Sequence, residues 1–251
     1  MPLSERNVFC CALGENWGIG SLMRVNKMRA VLFDLDGTLA DTAPDLAAAL
    51  NALLAEQNRP TLPFHVIRPV VSHGSTGLLR LGFSLKPTDA NFAQLRERLL
   101  QLYAANLCRE TRVFPGVAEL LAQLAARDIL WGIVTNKPAF LTEPLIDRLG
   151  LEHPPACVVS GDTVANRKPH PEPMLHACAI ARARPSETLY VGDAERDIRA
   201  GRDAGMKTLV ALFGYIGENE QPEGWGADGM IDAPLDVLAW INADEGKRNV
   251  R

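Results

Sequence analysis

From residue 28 onward the chain alternates between two patterns. Short apolar runs at 31–33, 131–135, 157–160, 188–191 and 208–212 are bounded by turn-forming residues and predict buried strands. A weaker run at 230–231 predicts one more. Between most of them, apolar residues recur at helical spacing, at 117–127, 141–149, 173–183, 198–204 and 235–241. Strands alternating with helices predict βαβ units, and hence an α/β fold with a parallel sheet covered on both faces.

One interval breaks this rhythm. Residues 43–112 read almost wholly helical. Thr42 is the expected N-cap, Pro44 falls in the first turn, and Asp45 completes a capping-box spacing. Leu46, Leu50, Leu53 and Leu54 follow at helical spacing. After a break at Asn58-Arg59-Pro60, further helical material lies at 76–81 and 90–106, and the chain returns near Phe114-Pro115-Gly116. The expected organisation is a core of 28–42 and 113–245, a helical insert at 43–112 and a short tail at 246–251. An insert beside a strand end is well placed to act as a lid. Residues 1–27 match none of this pattern, and Met28 stands just before the first strand. A disordered extension, or a start assigned too far upstream, is the expectation there.

Composition narrows the class. The 251 residues are 47% apolar, enough for a large core. The net charge of −4, without a long basic run, argues against nucleic acid or an anionic membrane as partner. No stretch approaches the ~18 apolar residues that span a bilayer. The apolar run at 8–13 is too short for a signal-peptide core. Five cysteines (Cys10, Cys11, Cys108, Cys157 and Cys178) lack metal-ligand spacing and read as reduced thiols of a cytoplasmic protein.

The candidate chemistry sits at strand ends, where open α/β sheets bind ligands. The run Ala30-Val31-Leu32-Phe33 leads into Asp34-Leu35-Asp36-Gly37-Thr38. Two clustered carboxylates repel, so a proton or a cation must be near. Such a pair can supply a nucleophile, a general acid and a metal ligand. A calcium loop also begins Asp-x-Asp, but Leu39 stands where that loop needs glycine, Asp45 where it needs its last ligand, and a strand replaces the leading helix. Thr135, after the second core strand, can donate to a phosphoryl oxygen. Lys168, in the proline-stiffened stretch Asn166-Arg167-Lys168-Pro169-His170-Pro171, could neutralise crowded carboxylates. Asp193 and Asp197 are one helical turn apart and can face one cation. Hard carboxylate oxygens at two strand ends suit Mg²⁺.

In this order, these residues resemble the four motifs of the haloacid-dehalogenase superfamily of phosphohydrolases: Asp34-Leu35-Asp36-Gly37-Thr38, Thr135-Asn136, Lys168-Pro169, and Gly192-Asp193 with Asp197. The resemblance covers about residues 28–242, and the insert looks like the family's helical C1 cap. It implies a Rossmann-like core, a mobile cap and Mg²⁺-dependent transfer through an aspartyl phosphate. Asp34 would be the nucleophile and Asp36 the acid and base. Thr135, Asn136 and Lys168 would hold the phosphoryl group, with backbone N–H groups of the Leu35–Asp36 turn. Mg²⁺ would sit between Asp34, the Asp36 backbone carbonyl and Asp193, with Asp197 acting through water. Ala194 stands where many relatives carry an acid or hydroxyl, leaving Asp197 as the one outer contact.

Asp36 argues for phosphatases and phosphomutases within the superfamily, because dehalogenases lack an acid there and transport ATPases carry Thr. The stretches Trp131-Gly132-Ile133-Val134-Thr135-Asn136-Lys137-Pro138, Gly201-Arg202-Asp203-Ala204-Gly205 and Gly214-Tyr215-Ile216 look like bacterial phosphoglycolate phosphatases and N-acetylmuramate 6-phosphate phosphatases alike. Trp225-Gly226-Ala227-Asp228 is more similar to the second group. The expected substrate is therefore a small carboxylate-bearing phosphomonoester. Ser72-His73-Gly74-Ser75-Thr76 reads first as a turn and helix start, with His73 a candidate for the substrate carboxylate. A phosphomutase using the same residues, or a non-catalytic metal- or phosphate-binding module, are the alternatives.

Overall fold

The structure, a computed structural model, describes residues 28–246. The expected extension at 1–27, with Cys10 and Cys11, and residues 247–251 of the tail lie outside the described residues.

The central strand β1 (Ala30–Phe33) is buried at every position. Such a strand must be covered on both faces. Val31 and Phe33 point to one face, with Ile133 of a neighbouring strand and the helices α5 (Val117–Ala125), α6 (Ala139–Leu149) and α9 (Val237–Gly246). Leu32 points to the other, with Val134 and Tyr190 of the neighbouring strands and with Met174 and Ala177 on α7 (Glu172–Ala181) and Ala200 on α8 (Glu195–Asp203). This alternation is the period of two that a pleated strand imposes.

Six parallel strands form the sheet in the order β5-β4-β1-β6-β7-β8, with β4 Leu130–Val134, β5 Cys157–Val159, β6 Thr188–Gly192, β7 Lys207–Ala211 and β8 Gly229–Ile231. All six expected strands are present, within a residue or so at each end. The chain builds from β1 through β4 to β5, then returns to the far side of β1 with β6. Strand order therefore reverses beside β1, which opens a crevice at its carboxyl end.

Two short strands escaped the sequence reading. β2 (Ala40–Asp41) and β3 (Arg112–Val113) pair antiparallel where the helical insert leaves and rejoins the sheet. Two residues are too few to carry a periodic signal. Between them lie α1 (Ala43–Glu56), α2 (Phe64–Ile67), a 3₁₀ turn over Arg68–His73, α3 (Gly74–Phe83) and α4 (Phe92–Ala105). The buried leucines of the insert run without a break into the core on the β1 Phe33 face.

The start of α1 differs from expectation. Thr42 has a helical backbone and makes no side-chain cap bond; its hydroxyl donates to Asp36 Oδ1 at 2.6 Å. The Tyr215 hydroxyl accepts from the Thr42 and Ala43 N–H groups at 2.7 and 3.0 Å and donates to Asp41 Oδ1. A side chain 173 residues away thus does the work of a cap. Asp45 forms no capping box. Its buried carboxylate accepts from the N–H groups of Arg109, Glu110 and Thr111 and from the Thr111 hydroxyl, tying α1 to the returning chain.

No helix among the described residues is long and apolar enough to cross a membrane. Replacing Asp45 by Ala would orphan those donors, of which the Thr111 N–H and hydroxyl are buried. Asp45→Ala is expected to lose about 3 kcal/mol of stability, read by urea denaturation; a loss under roughly 1 kcal/mol would show that water replaces the carboxylate.

Candidate active site

Strands β4, β1 and β6 lie side by side, and each is followed by a polar residue. Phe33 pairs with Ile133 on one side and Val191 on the other. Asp34, Thr135 and Asp193 therefore leave the sheet within one residue of the same level. Gly37, at φ 85°, turns the chain after Asp36; a Cβ there would stand 2.1 Å from Asp193 Oδ2. Only glycine lets the two loops meet.

Asp34, Asp193 and Asp197 are buried, and each brings a carboxylate oxygen within 4.8 Å of the others. Asp34 Oδ1 accepts from the Leu35 N–H at 2.7 Å and lies 3.1 Å from Lys168 Nζ. Its Oδ2 accepts no hydrogen bond from a described residue. Burial raises the Asp34 pKa; Lys168 opposes the shift and Asp197 reinforces it. Asp193 Oδ2 accepts from Ser72 Oγ at 2.6 Å and from the Tyr215 N–H at 2.9 Å. Its Oδ1 is buried without a partner. Burial, then the charges of Asp34 and Asp197, push the Asp193 carboxyl up to about 7.

Lys168 lies beneath this cluster, its side chain fully buried, 2.7 Å from Asp197 Oδ1. Asn136, expected at the substrate, brackets the lysine's backbone: Nδ2 donates to the Lys168 carbonyl and Oδ1 accepts the Lys168 N–H. Asp197 Oδ2 accepts the Ala194 N–H at 3.1 Å. Thr135 is buried, and its Oγ1 accepts from the Lys137 N–H, leaving the hydroxyl proton free to donate.

Asp36 stands apart from the three clustered acids. Its Oδ1 accepts from Thr42 and from Lys137 Nζ, both at 2.6 Å. The cation that two neighbouring carboxylates demand is therefore supplied twice, by Lys168 at Asp34 and by Lys137 at Asp36. Lys137 also lies over the Tyr103 ring of α4, 4.6 Å from its centroid. Burial pulls the Lys137 pKa down, but Asp36 and Tyr103 more than compensate and carry it above its usual value. Lys137, Tyr103, Ser72 and Arg196 were not among the expected site residues. Lys137 was legible in part, as a cation locked by Pro138 just after Thr135; Ser72 and Tyr103 reach the site only through the packing of the insert.

A cavity of about 1130 Å³ opens between the strand ends and the insert. Asp34, Asp36, Thr135 and Arg196 line it from below, and Tyr103 and His73 from the insert. His73 is exposed, on the cavity wall.

The acid cluster fits a divalent cation. Three carboxylates against the one buried ammonium leave two negative charges, and the unpartnered Asp193 Oδ1 is a hard oxygen donor waiting for a charge. An α/β sheet that offers acids, a hydroxyl and a lysine at three adjacent strand ends defines a phosphoryl-transfer type of site. The model of the haloacid dehalogenase-like hydrolases matches residues 31–211, and the chain belongs to that family.

Similar proteins share nearly the whole described chain. An N-acetylmuramic acid 6-phosphate phosphatase of Pseudomonas putida is 42% identical over 217 residues, covering 86% of this chain and 97% of the relative. A phosphoglycolate phosphatase of Xanthomonas campestris is 43% identical over 206 residues, covering 82% and 93%. The crystal structure of a predicted phosphoglycolate phosphatase from Haemophilus somnus superposes with a TM-score of 0.75 at 28% identity, covering 87% of this chain and 99% of that one. The chain is an enzyme, a phosphatase of this family.

Asp193 must be ionised to ligate a metal. Its carboxyl loses the proton near 7 in the metal-free fold but near the ordinary value of about 4 when unfolded. Metal-free stability should therefore fall as pH rises from about 4 to about 7, then level off. Mg²⁺ is expected to raise Tm more at about pH 8 than at about pH 5.5. Thermal shifts with Mg²⁺ and with EDTA check this; an equal rise at both pH values would refute it.

Proposed function

We propose that the protein is a Mg²⁺-dependent phosphomonoesterase working through an aspartyl phosphate on Asp34. The observation that carries this is the convergence of Asp34, Asp193 and Asp197 below a cavity on whose wall Asp34 stands. Asp34, Asp193 and Asp197, with the Asp36 carbonyl, would hold the ion, which when bound neutralises charge on the acids and the phosphoryl group.

The Asp34 carboxylate attacks phosphorus, and the bond to the leaving oxygen breaks. Asp36 gives its proton to that oxygen. Asp36 then takes a proton from water, which attacks the aspartyl phosphate, releases inorganic phosphate and restores the Asp34 carboxylate. Thr42 and Lys137 fix the Asp36 side chain for both transfers. The Thr135 hydroxyl and the Asp36 N–H, which donates to no described group, are placed to hold phosphoryl oxygens. The insert is proposed to act as a lid, because Ser72 reaches from it to Asp193.

The substrate proposed is N-acetylmuramate 6-phosphate rather than 2-phosphoglycolate. The cavity of about 1130 Å³ lies just above the ~300–1,000 Å³ that enclose drug-sized ligands, far more than a two-carbon acid fills. Its walls include Phe140, 57% exposed, an aromatic face on which a sugar ring can stack. The free thiols of Cys108, Cys157 and Cys178 suit a reducing, cytoplasmic setting.

Asp34→Asn is expected to lower kcat at least about 10³-fold with an unchanged far-ultraviolet circular dichroism spectrum; retained turnover would remove Asp34 as the nucleophile. Wild-type kcat/KM for N-acetylmuramate 6-phosphate should exceed that for 2-phosphoglycolate by roughly tenfold or more. The reverse order would overturn the substrate while leaving the reaction intact, and turnover without release of inorganic phosphate would favour a mutase. His73→Ala should raise KM for N-acetylmuramate 6-phosphate by about 3–10-fold with little change in kcat; an unchanged KM would remove His73 from substrate binding.

A further inference from the structure

We infer that Arg196 is a second cation, beside Lys168, that grips the transferring phosphoryl group from the cavity. The inference rests on the phosphatase reading and adds a residue to its machinery.

Lys168 gives two of its three protons to groups inside the protein, the Val134 carbonyl and the Tyr190 hydroxyl. An ammonium offers three donors. Four oxygens already stand around Lys168 Nζ: Asp197 Oδ1 at 2.7 Å, the Val134 carbonyl and the Tyr190 hydroxyl at 2.8 Å, and Asp34 Oδ1 at 3.1 Å. The Tyr190 hydroxyl in turn donates to the Val134 carbonyl, so it can only accept from the lysine. The Lys168 side chain is fully buried and lies off the cavity wall. Its geometry is that of a counter-charge set behind the carboxylates.

Arg196 is the opposite case. It is the second residue of α8, between Asp193 and Asp197, and it lines the cavity together with Asp34 and Thr135. It is half-buried, yet its guanidinium makes no hydrogen bond and no ion pair within 4.0 Å to any described residue. A part-buried guanidinium with five unengaged donors calls for an anion. Burial lowers its pKa, but the charges of Asp197, Asp34 and Asp193 outweigh burial and keep it protonated. Of the other arginines on the wall, Arg167 is exposed and Arg96 donates to Ser75 Oγ at 3.1 Å. Neither shares a turn with the acid cluster.

A planar fork matches two phosphoryl oxygens at once, which an ammonium cannot do. Where Arg196 stands, its donors meet a phosphate approaching Asp34 from the cavity. Lys168, 3.1 Å from Asp34 Oδ1, holds the same carboxylate in place.

Arg196→Met and Arg196→Lys in the full-length chain test this. Inorganic phosphate binding, measured by titration calorimetry in saturating Mg²⁺, is expected to weaken about 10–100-fold in Arg196→Met, with only partial recovery in Arg196→Lys. Values of kcat/KM for N-acetylmuramate 6-phosphate and for p-nitrophenyl phosphate, which has no carboxylate, should fall by similar factors. The Mg²⁺ concentration at half-maximal thermal shift should not rise. Unchanged phosphate binding would overturn the inference, as would a loss confined to the carboxylate-bearing substrate. Should Arg196→Met fail to fold, Arg196→Lys with a wild-type Tm decides by the same phosphate titration. If the wild type binds phosphate through Arg196 but hydrolyses neither ester, the phosphatase reading fails and the anion contact stands.

Discussion

Three carboxylates packed within 4.8 Å of one another below a protein surface set the terms for the rest of this molecule. Each ionised pair at that separation repels by about 3 kcal/mol at an effective dielectric constant of ~20. Three pairs then approach the whole stability of an ordinary domain, roughly 5–15 kcal/mol. Such a cluster persists only if something offsets it. The structure provides Lys168 in contact with Asp34 and Asp197, a raised Asp193 pKa that lets a proton stand in for a cation, and an arrangement of oxygen donors suited to a divalent ion. The same repulsion that threatens the fold is what a bound divalent cation would relieve.

Sheet topology explains why these acids meet. Asp34 follows β1, and Asp193 follows β6, 159 residues later in the chain but adjacent in the sheet. Because strand order reverses beside β1, the loops after β4, β1 and β6 lean over one crevice. Glycines at the contacts, Gly37 above all, remove the Cβ atoms that would hold the loops apart. Arg196 gains its place in the same way, as the residue between two acids at the start of α8.

The helical insert is bound to this centre by few but specific contacts. A two-residue ribbon, the Tyr215 hydroxyl and the Asp45 carboxylate anchor its ends. At its working face, Ser72 touches Asp193, and the Tyr103 ring covers Lys137, which in turn holds Asp36. The insert therefore touches both the acid cluster and the Lys137–Asp36 pair, so its position bears on both. Together with the aromatic face of Phe140, it also sets the size of the cavity above the acids.

The sequence alone determined the six strands of the main sheet and the longer helices, because apolar periodicity follows from burial on one or two faces and needs no distant partner. It also determined which acids follow which strands, and with them the class of chemistry. Tertiary structure alone decided the partnerships. Thr42 reads as a cap by local pattern, but it bonds Asp36 because Tyr215 takes over the helix start. Asp45 sits at a capping-box spacing, yet it holds a loop more than 60 residues away. Lys168 and Arg196 are both cations in segments that follow a core strand, β5 and β6. Which one is enclosed and which faces the cavity depends on the packing of β4, β6 and α8, and no local pattern encodes that.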